Sequence, residues 1–115
     1  MRLRAFFFLL FLPSLAFAKP EAFHRDAWAE KLGGETEVIM SDKSRCDIVT
    51  DTHAIEVEKA SKWKHAIGQA LWYSFQTNKK AGIILIIENE DDKKHLLKLH
   101  SLIEHNQLPI TVFSK

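Results

Sequence analysis

Three acidic side chains in the middle of this chain could take part in chemistry together. Asp47 lies in one apolar run, and Glu56 and Glu58 alternate with Ile55 and Val57 in the next. Because successive side chains of a strand point to opposite faces, both glutamates share one face. Eight residues separate Asp47 from Glu56, so a tight hairpin can bring these acids together. Clustered carboxylates repel one another unless a cation lies between them, and oxygen ligands suit Mg²⁺ or Mn²⁺.

A second polar group lies on the segment after the glutamates, which has the spacing of a helix. At 100° per residue, Gln69 and Tyr73 lie about 20° to either side of Lys62. These three residues form a polar line, offset by roughly 120° from the middle of the apolar packing stripe. Lys59 lies at the junction between strand and helix, near the acidic pair. The line and Lys59 are therefore candidates for contact with a ligand.

Each of these features also has a simpler interpretation that the sequence leaves open. The glutamates could form the solvent face of an amphipathic strand, and the lysines a solvated start of a helix. Gln69 and Tyr73 could be an ordinary surface pair at i and i+4. Asp47 is harder to explain in this way, because acids are depleted in the middle of strands.

A sheet with helices packed on it is needed to position these residues. Hydrophobic periodicity predicts helices over Pro20–Leu32, Ala60–Asn78 and Asp91–His105. It predicts strands over Glu35–Met40, Arg45–Thr50, Ala54–Glu58, Ile83–Ile87 and Pro109–Phe113. The predicted order is therefore a helix, three strands, a helix, a strand, a helix and a strand. The first three strands are close enough for antiparallel hairpins, whereas the later strands need helical crossovers and should run parallel. The expected fold class is α/β, a small mixed sheet with helices on both faces.

The amino-terminal 18 residues differ in composition from the rest of the chain. A basic start is followed by an apolar run, and Ala16 and Ala18 stand at the −3 and −1 positions of a cut before Lys19. This layout predicts a signal peptide over 1–18 and one exported domain over 19–115, either periplasmic or secreted. The apolar run is shorter than the roughly 20 residues of a membrane span, so no span is expected after cleavage. An uncleaved anchor is the alternative.

Charge and cysteine content narrow the classes of function. Without Arg2 and Arg4, the exported domain has 14 basic and 15 acidic residues, a formal charge of −1. No global positive field attracts such a domain to nucleic acid, so binding of this kind needs a local patch. Cys46 is the single cysteine and cannot form an internal disulfide. Its place in an apolar alternation predicts a buried structural thiol rather than a nucleophile.

The order of the polar residues along these elements resembles the PD-(D/E)XK nuclease superfamily. Asp47 in the second strand, Glu56-Val57-Glu58 in the third strand and Gln69-X-X-X-Tyr73 in the next helix are similar to the marks of the lambda-exonuclease and RecB-like branch. The resemblance covers roughly residues 21–87. It implies a restriction-endonuclease-like αβββαβ core, here extended by a carboxyl-terminal helix and strand.

The resemblance also implies a chemistry, which is hydrolysis of phosphodiester bonds in nucleic acid, with DNA as the first expectation and Mg²⁺ or Mn²⁺ as cofactor. Asp47 and Glu56 would bind the metal, and the carbonyl of Val57 could add an oxygen. Glu37, on the first strand or at the end of the preceding helix, is a further candidate ligand. The metal would lower the pKa of a bound water and stabilise charge on the phosphate.

The sequence departs from the family pattern at Glu58, where the family usually has a lysine that orients water or stabilises the oxyanion. Lys62 is the first candidate for a lysine displaced onto the following helix, and Lys59 is the second. Gln69 and Tyr73 would brace the site or contact the nucleic-acid backbone.

Two other functions stay open because fold alone does not settle function. Without a lysine at the site, the chain would be a catalytically inactive nuclease-fold module that binds nucleic acid or a protein partner. A structural envelope protein with a merely solvated acidic face is the third alternative. A domain this small has little surface with which to hold a duplex, so a homodimer is compatible with the nuclease prediction.

Overall fold

The order of helices and strands in the computed structural model, which describes residues 18–114, confirms the predicted α/β fold class. The predicted signal peptide lies outside the described residues, apart from Ala18. The elements are α1 (Glu21–Leu32), β1 (Glu35–Ile39), β2 (Arg45–Val49), β3 (His53–Lys59), a 3₁₀ turn (Ala60–Lys62), α2 (Trp63–Thr77), β4 (Lys80–Ile86), α3 (Glu90–Asn106) and β5 (Ile110–Phe113). The restriction-endonuclease-like core itself stays a prediction.

Local signals in the sequence fix the ends of the helices. The chain leaves α1 at Gly33, where φ is 69°, and leaves α2 at Asn78, where φ is 56°. Glycine and asparagine tolerate this left-handed conformation best, so both are suited to end a helix. Asn89 caps the start of helix α3, where its side-chain oxygen accepts the N–H of Asp92 at 3.0 Å. Acids in its first turn also complement the helix dipole.

The five strands form one mixed sheet in the order β1-β2-β3-β4-β5. Strands β1, β2 and β3 pair antiparallel, whereas β4 pairs parallel with β3 and β5 pairs parallel with β4. This agrees with the prediction from connection lengths, because a parallel pair needs a crossover that a hairpin cannot supply. Strand β3 is therefore the central strand, with two neighbours on each side.

Helices cover both faces of the sheet. Helix α1 packs on one face, where Trp28 and Ala29 contact Ile55, Val57 and other apolar side chains of β2 to β4. Helices α2 and α3 pack on the other face, in a cluster of buried residues that comprises Ala66, Ala70, Ala81, Ile83, Leu85, Leu99 and Ile110. Full burial of one isoleucine or leucine stabilises a fold by about 1.5–3 kcal/mol. The two layers therefore hold β3 firmly in place.

A third, smaller cluster packs the later turns of α2 against β1 and β2. Cys46, Ala54, Met40 and Tyr73 are its buried members. Burial raises the pKa of the Cys46 thiol to about 12, and the thiol donates to the carbonyl oxygens of Ile48 and Ile55. The prediction of a buried structural thiol is thus confirmed. Among the helices within residues 18–114, none is both long and apolar enough to cross a membrane.

Candidate functional site

The acidic residues meet where β2 and β3 stop pairing. The two strands form ladder pairs close to their turn, and Ile48 with Ile55 is the pair farthest from it. Beyond this pair, the side chain of Asp47 replaces a backbone partner, since its Oδ2 accepts the N–H of Val57 at 2.8 Å. The backbone donor is therefore satisfied although the strands have separated. The separation leaves room for side chains to converge between the strands.

Glu56 and Glu58 share one face of β3 and are buried there, with 6% and 8% of their surfaces exposed. Burial of this degree excludes the interpretation that they form a solvated face. His65 of α2 lies beside them, and one ligand atom from each of the three residues lies within 4.8 Å of the others. The backbone N–H of Lys59 donates to Glu58 Oε1 at 3.0 Å. The central strand and α2 thus bring two carboxylates and an imidazole together.

Two further carboxyl groups complete this cluster, which we call the acidic cluster: Glu21, Asp47, Glu56 and Glu58. Asp47 is a hydrogen-bond partner of Glu56. Glu21, in the first turn of α1, is a hydrogen-bond partner of Glu58. A hydrogen bond between two carboxyl groups requires a proton on one of them. The four groups come from β2, β3 and α1, so the cluster depends on the tertiary fold.

Three carboxyl groups of the acidic cluster have raised pKa values, which indicates that burial and neighbouring acids disfavour their charged forms. Burial raises the pKa of Glu56 to about 10, and the nearby Asp47 raises it further. Burial likewise raises the pKa of Asp47, against the bonds that it accepts from Glu56 and Val57. The pKa of Glu21 is raised by burial and then by Glu58. In the absence of a cation, Glu56 therefore keeps a proton at neutral pH.

A line of three side chains on α2 borders the acidic cluster. His65, Gln69 and Tyr73 are spaced at i, i+4 and i+8, and Gln69 Nε2 donates to the Tyr73 hydroxyl at 3.0 Å. Burial, followed by the charges of Glu56 and Asp47, raises the pKa of Tyr73 to about 12. Tyr73 is buried. The alternative of an ordinary surface pair is therefore excluded for Gln69 and Tyr73.

The two candidate lysines lie at the edge of the cluster rather than on this line. Lys62 ends the 3₁₀ turn before α2, and His65 takes the place that the helical spacing assigns to Lys62. Lys59 and Lys62 line a pocket of about 460 Å³ together with Glu21 and Glu88. Glu21 belongs to both the pocket and the acidic cluster, so the pocket adjoins the cluster. The charge of Lys59 acts on Glu21 and lowers its pKa, against the larger effect of burial.

Glu37 has a different environment from the acidic cluster. It lies on the edge strand β1 with φ at 52°, and its side chain is 43% exposed. Its Oε1 lies 2.6 Å from Arg25 Nη1, and its Oε2 lies 2.9 Å from Arg45 Nη1. A metal at Glu37 would have to displace an arginine. The structure therefore does not bring Glu37 together with the other predicted ligands.

Glu21 and His65 are the members of this site that sequence reasoning missed. His65 had a usable signal, because steps of four residues back from Tyr73 lead through Gln69 to His65. Glu21 had none beyond its place in the first turn of a helix, where acids are common. Carboxylate oxygens suit Mg²⁺ and Mn²⁺, and an imidazole moves the preference toward Mn²⁺ or Zn²⁺. Glu56, Glu58 and His65 could hold such an ion.

Sequence comparison relates part of this chain to a viral protein. No protein-family model matches the chain, and no solved structure matches it. A stretch of 70 residues, 60% of the chain, is 36% identical to KilA-N domain-containing protein L33 of Acanthamoeba polyphaga mimivirus. The stretch spans 28% of the length of that protein. The similarity thus joins a segment of each protein and leaves the family of this chain open.

Proposed function

We propose that this chain is an exported, metal-dependent nuclease-like protein that hydrolyses phosphodiester bonds of nucleic acid. The observation that carries the proposal is the meeting of buried Glu56 and Glu58 with His65 beside Asp47. Burying a charged carboxylate without a hydrogen-bonded, oppositely charged partner is costly. Strongly shifted carboxyl groups with defined neighbours are typical of functional sites.

The donors of the site fit a divalent cation. Glu56 and Glu58 would bind it through oxygen and His65 through a ring nitrogen. Asp47, whose carboxyl group lies beside Glu56, would add an oxygen, and the Val57 carbonyl is a further donor that the family resemblance implies. This set fits Mg²⁺ and fits Mn²⁺ better, because Mg²⁺ rarely takes nitrogen ligands. When bound, the cation would lower the pKa of a water and offset charge on the phosphate.

The side chains around the acidic cluster would orient the substrate. Tyr73 keeps its proton at neutral pH because its pKa is about 12, so its hydroxyl can donate one hydrogen bond while it accepts another from Gln69. The pair would brace the site or contact the phosphate backbone. Lys62 and Lys59, in the pocket beside Glu21, would bind phosphate oxygens and stabilise the developing negative charge.

Nucleic acid as the partner is supported by the resemblance to the nuclease superfamily and by the similarity to a KilA-N domain-containing protein. The element order along residues 21–87 is also the order of a restriction-endonuclease-like core. Export rests on the composition of residues 1–18. A homodimer would enlarge the surface that contacts a duplex.

A nuclease assay tests the proposal. The purified protein is incubated with linear DNA, supercoiled DNA and RNA in the presence of Mg²⁺, Mn²⁺ or EDTA. We expect cleavage that needs the metal, is lost in Glu56→Ala and persists in Glu104→Ala, which removes an exposed acid from α3. Circular dichroism checks that both variants fold. Unchanged cleavage by Glu56→Ala would overturn the assignment of the site.

The second candidate function is a catalytically inactive nuclease-fold module, and the observation that favours it is Glu58 in the usual place of a lysine. The same assay separates the two, since the inactive module shows no cleavage while folded and supplied with Mn²⁺. Retention of nucleic acid at low salt and release at high salt would then identify a binding module, because phosphate contacts weaken steeply with salt. If nucleic acid is not retained even at low salt, the remaining alternative is a structural protein.

A further inference from the structure

The outer surface of α2 carries four residues that the acidic cluster does not use. They are Lys64, Gly68, Trp72 and Phe75, which we call the aromatic strip, and all four are exposed. At 100° per residue they lie within an arc of about 80°, roughly 100° from the line of His65, Gln69 and Tyr73. The strip therefore runs along the same helix as the site and beside it.

Trp72 and Phe75 form the apolar end of the strip. Trp72 is 45% exposed and Phe75 is 76% exposed. Their rings stack with centroids 5.6 Å apart and planes 21° from parallel. The indole N–H of Trp72 donates to Asp42 Oδ2 at 2.8 Å, and the backbone N–H of Ser44 donates to Asp42 Oδ1. The turn between β1 and β2 thus fixes the orientation of an aromatic surface that faces solvent.

Gly68 keeps the middle of the strip open. It lies inside α2, where glycine weakens a helix relative to alanine. A Cβ at this position would have no atom within 4 Å, so packing does not require glycine. Its effect is to leave bare backbone between Lys64 and Trp72, one turn away on either side.

Lys64 supplies positive charge at the other end of the strip. Its Nζ lies 5.6 Å from the centre of the Trp63 ring, in the first turn of α2, where the helix dipole also attracts anions. A cation beside an open surface that ends in stacked aromatic rings combines the two features that bind single-stranded nucleic acid. The charge attracts phosphates, and the rings stack with bases of any sequence.

We infer that the aromatic strip binds unpaired bases of a nucleic acid, so that the substrate class of the site is single-stranded nucleic acid or an unpaired segment of a duplex. This inference rests on the proposed function for the reaction and adds the form of the substrate. Bases in a duplex are stacked on one another and present only their edges in the grooves, so they cannot stack on Trp72 and Phe75. A strand bound along α2 lies next to the acidic cluster.

Binding measured in EDTA tests the inference apart from any cleavage. Fluorescence anisotropy compares a labelled single strand of DNA or RNA with a duplex of the same sequence. We expect tighter binding of the single strand and a loss of about five- to a hundredfold when Trp72 and Phe75 are both changed to alanine. Trp72→Phe keeps a stacking ring and should bind within about threefold of the wild type. Leu97→Ala, which removes an exposed apolar side chain from α3, is the matched control.

A second variant tests the strip without touching the rings. Gly68→Gln adds a long neutral side chain and a better helix former, so the fold is kept while the strip is blocked, and single-strand binding should weaken several-fold. Wild-type affinity in both the double alanine variant and Gly68→Gln would overturn the inference. The inference would also be overturned if the double alanine variant kept its single-strand binding but no longer self-associated in sedimentation, because the strip would then be a protein interface. If the protein binds single strands through the strip but does not cleave nucleic acid, the proposed function is refuted and the binding role of the strip stands.

Discussion

Glu37 and Glu56 lie in the same sheet and have the same side chain, yet their surroundings are opposite. Glu37 lies on the edge strand, is half-exposed, and has an arginine at each carboxylate oxygen. Glu56 lies on the central strand, is buried, and has Asp47 and Glu58 as its charged neighbours. A paired, exposed carboxylate needs no further partner, whereas a buried carboxylate among acids needs a proton or a cation. The surroundings therefore separate a carboxylate that is already paired from one that lacks a positively charged partner.

Helix α1 serves both regions from side chains one turn apart. Glu21 contacts Glu58 in the acidic cluster, and Arg25 pairs with Glu37. Through Glu21 the helix adds negative charge to a cluster that is already acidic. Its arginine bonds the edge strand, and the charge of that arginine also lowers the pKa of Asp47, against the larger effect of burial. Such an arrangement lowers the stability of the acidic cluster without a metal, which is typical of a site that is built to bind one.

The largest expected difference between the two regions is in activity. Asp47→Asn keeps an oxygen that can accept the Val57 N–H but removes the charge of a proposed metal ligand. We expect it to lower metal-dependent cleavage at least about a hundredfold, since even the loss of outer partners of metal ligands costs 10- to 100-fold. Glu37→Gln should stay within about twofold, because it lies outside the metal set. Initial rates in Mn²⁺ provide the measurement, and equal losses in the two variants would contradict the comparison.

Metal binding should stabilise the acidic cluster and leave the Glu37 region unaffected. At a Mn²⁺ concentration of about 100 times the Kd, the free energy of unfolding should rise by about 2.7 kcal/mol. Thermal unfolding with Mn²⁺ and with EDTA measures this gain, which Glu58→Gln should lose and Glu37→Gln should keep. A wild-type protein that melts at the same temperature in Mn²⁺ and in EDTA would refute the metal site.

Without metal, Glu56 should make stability depend on pH. The folded state holds the pKa of Glu56 at about 10, well above the ordinary value of 4.5, so the folded protein binds the extra proton. Stability is then fully present below pH 4.5 and falls as the pH rises toward 10. Glu56→Gln should remove most of this decline and stabilise the metal-free protein by about 1–3 kcal/mol at about pH 8. Urea unfolding across pH checks this, and a destabilised variant at alkaline pH would contradict it.

The smallest expected effect is the change in stability when the charge of the paired acid, Glu37, is removed. Glu37→Gln removes the charge that holds Arg25 and Arg45. Glu37 and Arg45 are exposed to solvent, and only Arg25 is largely covered. We expect a loss of less than about 1 kcal/mol in the free energy of unfolding, and a smaller loss at high salt. Urea unfolding at low and high salt measures it. A loss as large as that from an apolar core substitution would show that Glu37 has a greater role than its pairs suggest.

Strand periodicity was sufficient to predict the centre of the acidic cluster. The alternation of β3 predicts that Glu56 and Glu58 share a face, and the structure confirms it because the side-chain period of a strand is two. The spacing of the second and third strands predicts that Asp47 meets Glu56, and their hydrogen bond confirms this contact. Both predictions are local, since they depend on one hairpin.

Contacts between helices and the sheet could not be predicted in the same way. Where α1 or α2 touches β3 depends on the position and crossing angle of each helix, which helical periodicity does not determine. Glu21 and Arg25 reach their partners through that packing. A helical step of seven from Gln69 leads to Lys62, but the chain forms a 3₁₀ turn there and His65 lies at the cluster instead. Export, nuclease activity, metal binding and the identity of the metal stay predictions.

Isothermal titration calorimetry of Mn²⁺ into the metal-free protein at slightly alkaline pH tests the central claim most directly. The claim is that the uncompensated carboxylates around Glu56 bind a cation and that the paired carboxylate of Glu37 does not. We predict saturable binding in the wild type and in Glu37→Gln, and none in Glu58→Gln. No binding by the wild type, or equal binding by all three proteins, would contradict the claim.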